Sequence, residues 1–378
     1  MASPEVATIL TGLQEIQVTD QQTLPSGAAF PFVASPSISE SNSEGPQTIS
    51  DWVKLGREWS SSGSLQQALD KHGAIVLRDL PVESAKDFSD FLHSFGWTPH
   101  EDVGNPVKRK VLAKNVAKAN EGPPDLYIAA HSEFGISSIF PSHICFWGSV
   151  VPEEGGETPI SSGAVLLQRL QEEAPEFVKN LLEKVLFGVT YTIYHPPTQL
   201  SGNANGNGVR AAWGSKIEPG DDDETAKRKI EQEIQRISPE TTWDWQADGG
   251  LFTKQRVPAF RKHPNTGAEV VFGNISSYYV GSRMLGTLEP PYLTPTGFYK
   301  PPPMYGDDTP IPLEYLRLLL AIIEETRALF KWKKNDVMII DNLSTQHSRV
   351  PWSKGQREIL ASLWNSGIEK HCHPISHL

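Results

Sequence analysis

The sequence predicts an α+β chain, with a β-rich domain at its centre and an α-rich lead-in before it. Three observations carry this reading. Short apolar runs of strand length recur, at Ala74-Ile75-Val76-Leu77, His143-Ile144-Cys145-Phe146-Trp147 and Ile359-Leu360-Ala361-Ser362-Leu363-Trp364. Segments of helical period crowd the stretch 50–95. Finally, 378 residues of which 38% are hydrophobic can bury a large core.

Taken in order, residues 1–29 form an N-terminal arm expected to be loosely held, because Ser, Pro, Thr and Gly dominate until about Ser50, apart from the apolar patch Phe30-Pro31-Phe32-Val33. Ser50-Asp51 reads as a helix cap, Ser64–His72 as a second helix, Ala74 to Arg78 as a strand ended by Pro81, and 85–95 as a third helix. The polar stretch 110–128 contains Pro123-Pro124 and is expected to be a loop feeding into His131, of the length that often makes a lid. His143 to Trp147 reads as a buried strand. In Glu154-Gly155-Gly156-Glu157-Thr158-Pro159-Ile160 the glycines let the backbone pass close to a neighbour and Thr158 offers a hydroxyl.

Further on, 164–186 is an amphipathic helical pair broken at Pro175, 196–215 an irregular Gly/Asn-rich insertion, and 220–237 a charged helix facing solvent. Val270-Val271-Phe272 and Ser277-Tyr278-Tyr279-Val280 read as strand pieces, and 313–330 as an amphipathic helix. The strand Val337-Met338-Ile339-Ile340 leads to a turn expected to present His347, and Arg357 opens the last strand with its guanidinium facing the interior. Such an arginine needs an anionic partner, and a dicarboxylic acid would supply one. The tail 366–378 is expected to be mobile, so the His371-Cys372-His373 spacing is not read as a second metal site.

Composition narrows the function. A net charge of −11 argues against nucleic acid or an anionic membrane as the main partner and favours a small molecule. Two cysteines, Cys145 and Cys372, exclude a disulfide framework and suit a reducing, cytoplasmic setting. No apolar run is long enough to span a bilayer. The closing Ser376-His377-Leu378 is a conservative variant of a peroxisomal address, which leaves that compartment as a second expectation. Oligomeric state is left open.

The chemistry centres on His131-Ser132-Glu133, an imidazole and a carboxylate two residues apart, which an extended strand would point to one face. With His347 they would complete the 2-His-1-carboxylate set that holds non-haem iron. Alone, His-x-Glu more often marks two polar residues on a surface strand.

In order along the chain, Gly73 to Arg78, His131-Ser132-Glu133, Gly155 to Ile160, Asp248-Gly249-Gly250, Asp341-Asn342, His347-Ser348-Arg349 and Arg357 leading into Leu360 to Leu363 together resemble the TauD/TfdA-like, or clavaminate-synthase-like, family of Fe(II)- and 2-oxoglutarate-dependent oxygenases. The resemblance implies a double-stranded β-helix, a jelly-roll or cupin-like core with flanking helices, as one domain over 30–365. It implies that His131, Glu133 and His347 hold Fe(II), and that Thr158 and Arg357 bind the distal carboxylate of 2-oxoglutarate, with O2 as co-substrate. Where several relatives carry a second arginine this chain has Ala361, so Arg349 is expected to take over part of that work. Relatives with Glu at the carboxylate position include free amino-acid hydroxylases. This points to an amino acid or amino-acid-derived carboxylate as substrate, oxidised by hydroxylation, desaturation or ring closure, with Phe134, Tyr278 and Tyr279 as candidate pocket walls. A binding or scaffold protein with a silent triad is the competing reading, and a hydrolytic zinc or manganese site a third. Thr158 and Arg357 weigh against the hydrolase, which has no need of them.

Overall fold

The apolar runs become strands because both of their faces are covered. In the computed structural model, which describes residues 10–37, 46–105, 109–119, 122–183, 188–201 and 207–375, the strands Ala74–Leu77, Val337–Asp341, His143–Val150 and Glu358–Asn365 lie side by side, each antiparallel to the next. They form the centre of a sheet of nine strands among the described residues. Alternation along each strand sorts the side chains. Val76, Ile144, Phe146, Met338, Ile340 and Ile359 point to one face, whereas Leu77, Cys145, Trp147, Ile339, Leu360 and Trp364 point to the other.

The second of those faces is covered by the helices Ile49–Ser61, Ser64–His72 and Ala85–His93, which deliver fully buried Trp52, Trp59, Leu69, Phe88 and Phe91. Each such side chain is worth about 1.5–3 kcal/mol on leaving water, which is enough to dock a short helix. The first helix starts earlier than the sequence suggests. Thr48, not Ser50, is its N-cap, and Asp51 returns a hydrogen bond to the Thr48 backbone in a capping box.

The first face looks across at a small sheet of Ile160–Ser162, Thr345–Arg349 and Ile128–His131. Ile160 joins the core between the two sheets. They are the two walls of a double-stranded β-helix, a jelly roll with helices on its outer faces. A second core lies behind the small sheet, where the helices Gly163–Glu173, Pro175–Glu183, Ile275–Met284 and Leu313–Thr326 pack against Ala129, Ala130 and the strand Val189–His195. No helix among the described residues is long and apolar enough to cross a membrane. Both cysteines are free and buried.

Four expectations need correction. The arm is built in from Leu10 onward: Leu10 and Leu13 are buried, Leu13–Glu15 pairs with Phe32–Pro36, and that strand runs parallel beside Ala74–Leu77. Half of the expected lid is a hairpin, Val111–Ala113 with Val116–Lys118, which extends the large sheet beyond Glu358–Asn365. Ser277 to Val280 is helical: Ile275, Ser276, Tyr279 and Val280 are its buried positions, a period of 3.6 that overrides the strand preference of Tyr and Val. The charged segment Asp223–Ile237 is a helix with one solvated face, as expected, and its other face buries Ala226, Ile230, Ile234 and Ile237. The tail is docked: the Lys262 and Ile375 N–H groups donate to the His373 and Phe260 carbonyls, and the Arg261 guanidinium donates to the Cys372 carbonyl. Ser376-His377-Leu378 lie outside the described residues.

Candidate metal centre and adjoining cavities

His131 and His347 face each other because they are direct partners across two antiparallel strands. Their rings lie 4.3 Å apart between centroids. His347 therefore sits within Thr345–Arg349 and is not presented by a turn; the turn is Asn342 to Ser344, before it.

Glu133 arrives by a different route from the expected strand alternation. The strand ends at His131, and Glu133 lies in the turn that follows, where Phe134 takes a left-handed backbone with φ 55°. Asn342 fixes that turn. Its Oδ1 accepts from the Glu133 N–H at 2.7 Å, while its Nδ2 donates to the Glu133 carbonyl at 3.0 Å and to the Pro141 carbonyl at 2.8 Å. Asn342 is itself fully buried, so these bonds have no competition from solvent.

The result is a three-sided donor set. Glu133 Oε2 lies 3.8 Å from His131 Nε2 and 3.6 Å from His347 Nε2, and the ligand atoms of the three residues all lie within 4.8 Å of one another. These gaps are too long for hydrogen bonds and suit a cation between the donors. His131 Nδ1 is 2.9 Å from the Ala129 carbonyl, a bond that requires the proton on Nδ1 and leaves the Nε2 lone pair aimed at the centre. Burial, with the neighbouring His131 and Arg109, brings His347 down to about 3 against the pull of Glu133, so its imidazole is neutral at ordinary pH. Burial opposes charge on Glu133, but Arg109, His347 and His131 outweigh it and hold the carboxylate at about 2. A neutral His347 and an ionised Glu133, with His131 Nε2 turned toward them, make the donor set that a divalent iron ion takes.

Two cavities meet at this set. The first, lined by Thr158, Arg349, Arg357, Ile144, Phe146 and Ile359 beside the triad, lies between the sheets. Arg357 donates through Nε to the Gly156 carbonyl at 2.8 Å and through Nη2 to Thr158 Oγ1 at 3.2 Å. Thr158 Oγ1 also accepts from Trp332 Nε1 at 2.9 Å. With two donors already on its oxygen, the hydroxyl has its own proton to give elsewhere. Arg349 was expected to share the anion-binding work, and it stands in the same cavity. One nitrogen is spent holding the Pro123 and Leu126 carbonyls, whereas its buried Nε and Nη1 have no partner among the described residues. Both guanidinium groups lie over Trp352, at 5.0 and 5.6 Å from the ring. Burial and the nearby Arg349 bring Arg357 down to about 10, the mark of a cation short of negative charge. Gly156, at φ +74°, passes so close to Arg357 that a Cβ would lie 3.0 Å from its Cδ. The close passage expected of these glycines is, for Gly155, against the Pro351-Trp352 backbone and, for Gly156, against Pro152 and this arginine.

The second cavity opens on the other side of the triad and is lined by Val103, Asn105, Phe134, Ile136, Trp213, Gln255 and Asn274 among others. Of the aromatic residues expected in a pocket, only Phe134 lines it. Tyr279 is buried in the helical core, and Tyr278 packs on Tyr191 with Lys300 over its ring. Arg109 escaped the sequence reading altogether. It donates from Nη2 to Glu133 Oε1 at 2.8 Å and lines both cavities. Its polar, loop-like surroundings give no periodic signal that would single it out.

Comparison with known proteins bears directly on this geometry. The family model described as Taurine catabolism dioxygenase TauD, TfdA family matches residues 42–364. The chain belongs to the TauD/TfdA family. It is thus an Fe(II)- and 2-oxoglutarate-dependent dioxygenase, with O2 as the oxidant. The chain is 30% identical to the clavaminate synthase-like protein At3g21360 of Arabidopsis thaliana over 79% of its own length and 83% of that protein's. It is 25% identical to the dapdiamide synthesis protein DdaC of Enterobacter agglomerans, over 81% and 86%. A taurine dioxygenase structure from Burkholderia xenovorans aligns with a TM-score of 0.47 at 16% identity, covering 92% of this chain and 90% of that one.

Proposed function

We propose that His131, Glu133 and His347 hold Fe(II), that Arg357 and Thr158 bind the distal carboxylate of 2-oxoglutarate with Arg349 alongside, and that the protein oxidises a C–H bond of an amino acid or amino-acid-derived carboxylate. The observation that carries this reading is the meeting of the two cavities at the triad, one cationic and between the sheets, the other partly apolar and beyond them. Bound iron with 2-oxoglutarate and O2 supplies the oxidising power for C–H cleavage and releases succinate and CO2.

The chain's own residues do the rest. The Ala129 carbonyl holds a proton on His131 Nδ1, so that Nε2 is the ring nitrogen left to bind a metal. Asn342 holds the Glu133 backbone, and Arg109 holds one carboxylate oxygen so that the other faces the two imidazoles. Arg357 offers a charged donor and Thr158 its free O–H proton, which together suit a carboxylate at the far end of the first cavity. Ile144, Phe146 and Ile359 exclude water from the length between. A substrate in the second cavity would then lie on the opposite side of the metal from the keto acid's anchor, against Phe134. Support for an amino-acid-derived substrate comes from the similarity to the protein named for dapdiamide synthesis.

The test is to load the protein with Fe(II), add 2-oxoglutarate and O2, and follow succinate with and without a panel of amino acids and their derivatives. Stimulated succinate release that disappears in His131→Ala supports the reading. Release that is indifferent to His131→Ala refutes it.

A further inference from the structure

The wall chemistry of the second cavity is one-sided in charge, and it narrows the substrate. The space is the larger of the two, about 230 Å³ against about 100 Å³. Arg109 is its cation; Asn105, Asn274, Gln255 and Ser137 are neutral and polar. Among the described residues of this wall the one carboxylate is Glu133, and both of its oxygens are committed, Oε1 to Arg109 and Oε2 toward the two imidazoles. Arg109 gives Glu133 a single hydrogen bond among the described residues, whereas a guanidinium has five N–H donors.

Gln255 supplies the second observation. It lies on the strand Leu251–Val257, 3% exposed, and its Oε1 is buried with no hydrogen-bond partner among the described residues, although the residue lines the cavity. An unpaired buried amide oxygen is costly, and a ligand N–H would relieve it. A free ammonium group is a poorer candidate for that role, because the lining offers it no uncommitted carboxylate: Glu133 is taken, and Asp102, the other carboxylate near Arg109, stands outside the lining. An amide N–H carries no such charge.

We infer that the second cavity takes an N-acylated amino acid, its carboxylate on Arg109 and its amide N–H on Gln255, with its apolar part against Phe134 and Trp213. This rests on the oxygenase reading above and goes further by excluding free amino acids as the preferred substrates. The Gly/Asn-rich segment takes part as well. It ends in the short helix Val209–Trp213, where the Ala212 carbonyl accepts from the Gly104 N–H at 2.7 Å. The Trp213 ring lies so close that a Cβ on Gly104 would sit 3.2 Å from it. That contact fixes the 103–105 loop as an outer wall of the cavity.

The experiment is calorimetry on the full chain, loaded anaerobically with Fe(II) and 2-oxoglutarate, titrated with N-acetyl-L-amino acids, the matched free L-amino acids and the matched N-acetyl amino amides. The N-acetyl acids should bind about tenfold or more tightly than either matched form, since each of those lacks one recognised group. Loss of the carboxylate is read from the amides, not from an Arg109 variant, because Arg109 also touches Glu133. Gln255→Leu should weaken the N-acetyl acids about tenfold, and Gln255→Glu should shift preference toward free amino acids by supplying the missing negative charge. Preference of the unaltered protein for free amino acids, unchanged N-acetyl affinity in Gln255→Leu, or no binding across the panel would each overturn the inference. Substrate-free release of succinate by the same preparation separates the two claims. If it is present, the oxygenase reading stands whatever the panel shows; if it and iron binding are both absent, that reading has failed too.

Discussion

Asn342 is the residue on which Glu133 depends, and Asn342→Ala exposes that dependence. The substitution removes three hydrogen bonds, of 2.7, 3.0 and 2.8 Å, and strands the Glu133 N–H, the Glu133 carbonyl and the Pro141 carbonyl inside the protein. Each stranded group costs about 1–3 kcal/mol. Because the three share one side chain and one turn, relaxation makes the total less than their sum, about 3–4 kcal/mol. For a chain of this size that corresponds to a fall in Tm of roughly 4–5 °C. The more telling effect is on the metal: a turn free to shift moves the carboxylate away from the two imidazoles, and Fe(II) affinity should fall about 10–100-fold. Calorimetric unfolding gives the first quantity, and anaerobic Fe(II) titration the second. A variant with lowered Tm but unaltered iron affinity would refute the argument, because it would mean the turn places Glu133 without Asn342.

Other substitutions read the first cavity. Thr158→Val should raise the KM for 2-oxoglutarate about tenfold or more while leaving iron affinity alone, and Thr158→Ser should restore it, since the hydroxyl and not the methyl binds the anion; parallel kinetics on the two variants decide it. Gly156→Ala, which would place a methyl 2.6 Å from Pro152 Cγ and 3.0 Å from Arg357 Cδ at a left-handed φ, should lower Tm by a few degrees and raise the same KM, and an unchanged KM would show that Arg357 is not held by this approach. In pH, burial holds His143 and His195 at about 4, below the ordinary value of 6.5. Their neutral forms favour the folded state fully above about pH 6.5, and this is lost as pH falls toward 4, by roughly 3 kcal/mol each at most. Asp336, raised to about 6 by burial, acts in the opposite direction, as do the raised Asp102 and His263, but His72, His100 and His347 are lowered by burial as well and keep the slope positive. Metal-free protein should therefore lose Tm steadily from pH 6.5 to 4, and a flat profile would contradict this.

The sequence made the strands legible where burial on both faces forced continuous apolar runs, as in His143–Val150 and Val337–Asp341, and the helices legible where one stripe is apolar. It made the triad and the polar end of the first cavity visible because His131, Glu133, His347, Thr158 and Arg357 each carry chemistry that a core position would not need. Their route to one place was less visible. Nothing local distinguishes an extended His131-Ser132-Glu133 from a strand that stops at His131, because what stops it is Asn342, two hundred residues away in sequence. Ser277 to Val280 was misread because the β preference of its residues is a property of the segment, whereas the helix is imposed by the core on which Tyr279 packs. Arg109 and Gln255 were missed for the same reason, since each looks like an ordinary polar residue until the fold brings it to the cavity wall.

The central claim is that one iron ion and one keto acid occupy the space between Glu133, the two imidazoles and Arg357. The most direct test is an anaerobic crystal structure with Fe(II) and 2-oxoglutarate, with the metal located by anomalous scattering at the iron edge. The account predicts iron bonded to His131 Nε2, His347 Nε2 and a Glu133 carboxylate oxygen, with the distal carboxylate on the Arg357 guanidinium and the Thr158 hydroxyl. Iron at any other set of side chains, or a keto acid whose distal carboxylate does not touch Arg357, would contradict it.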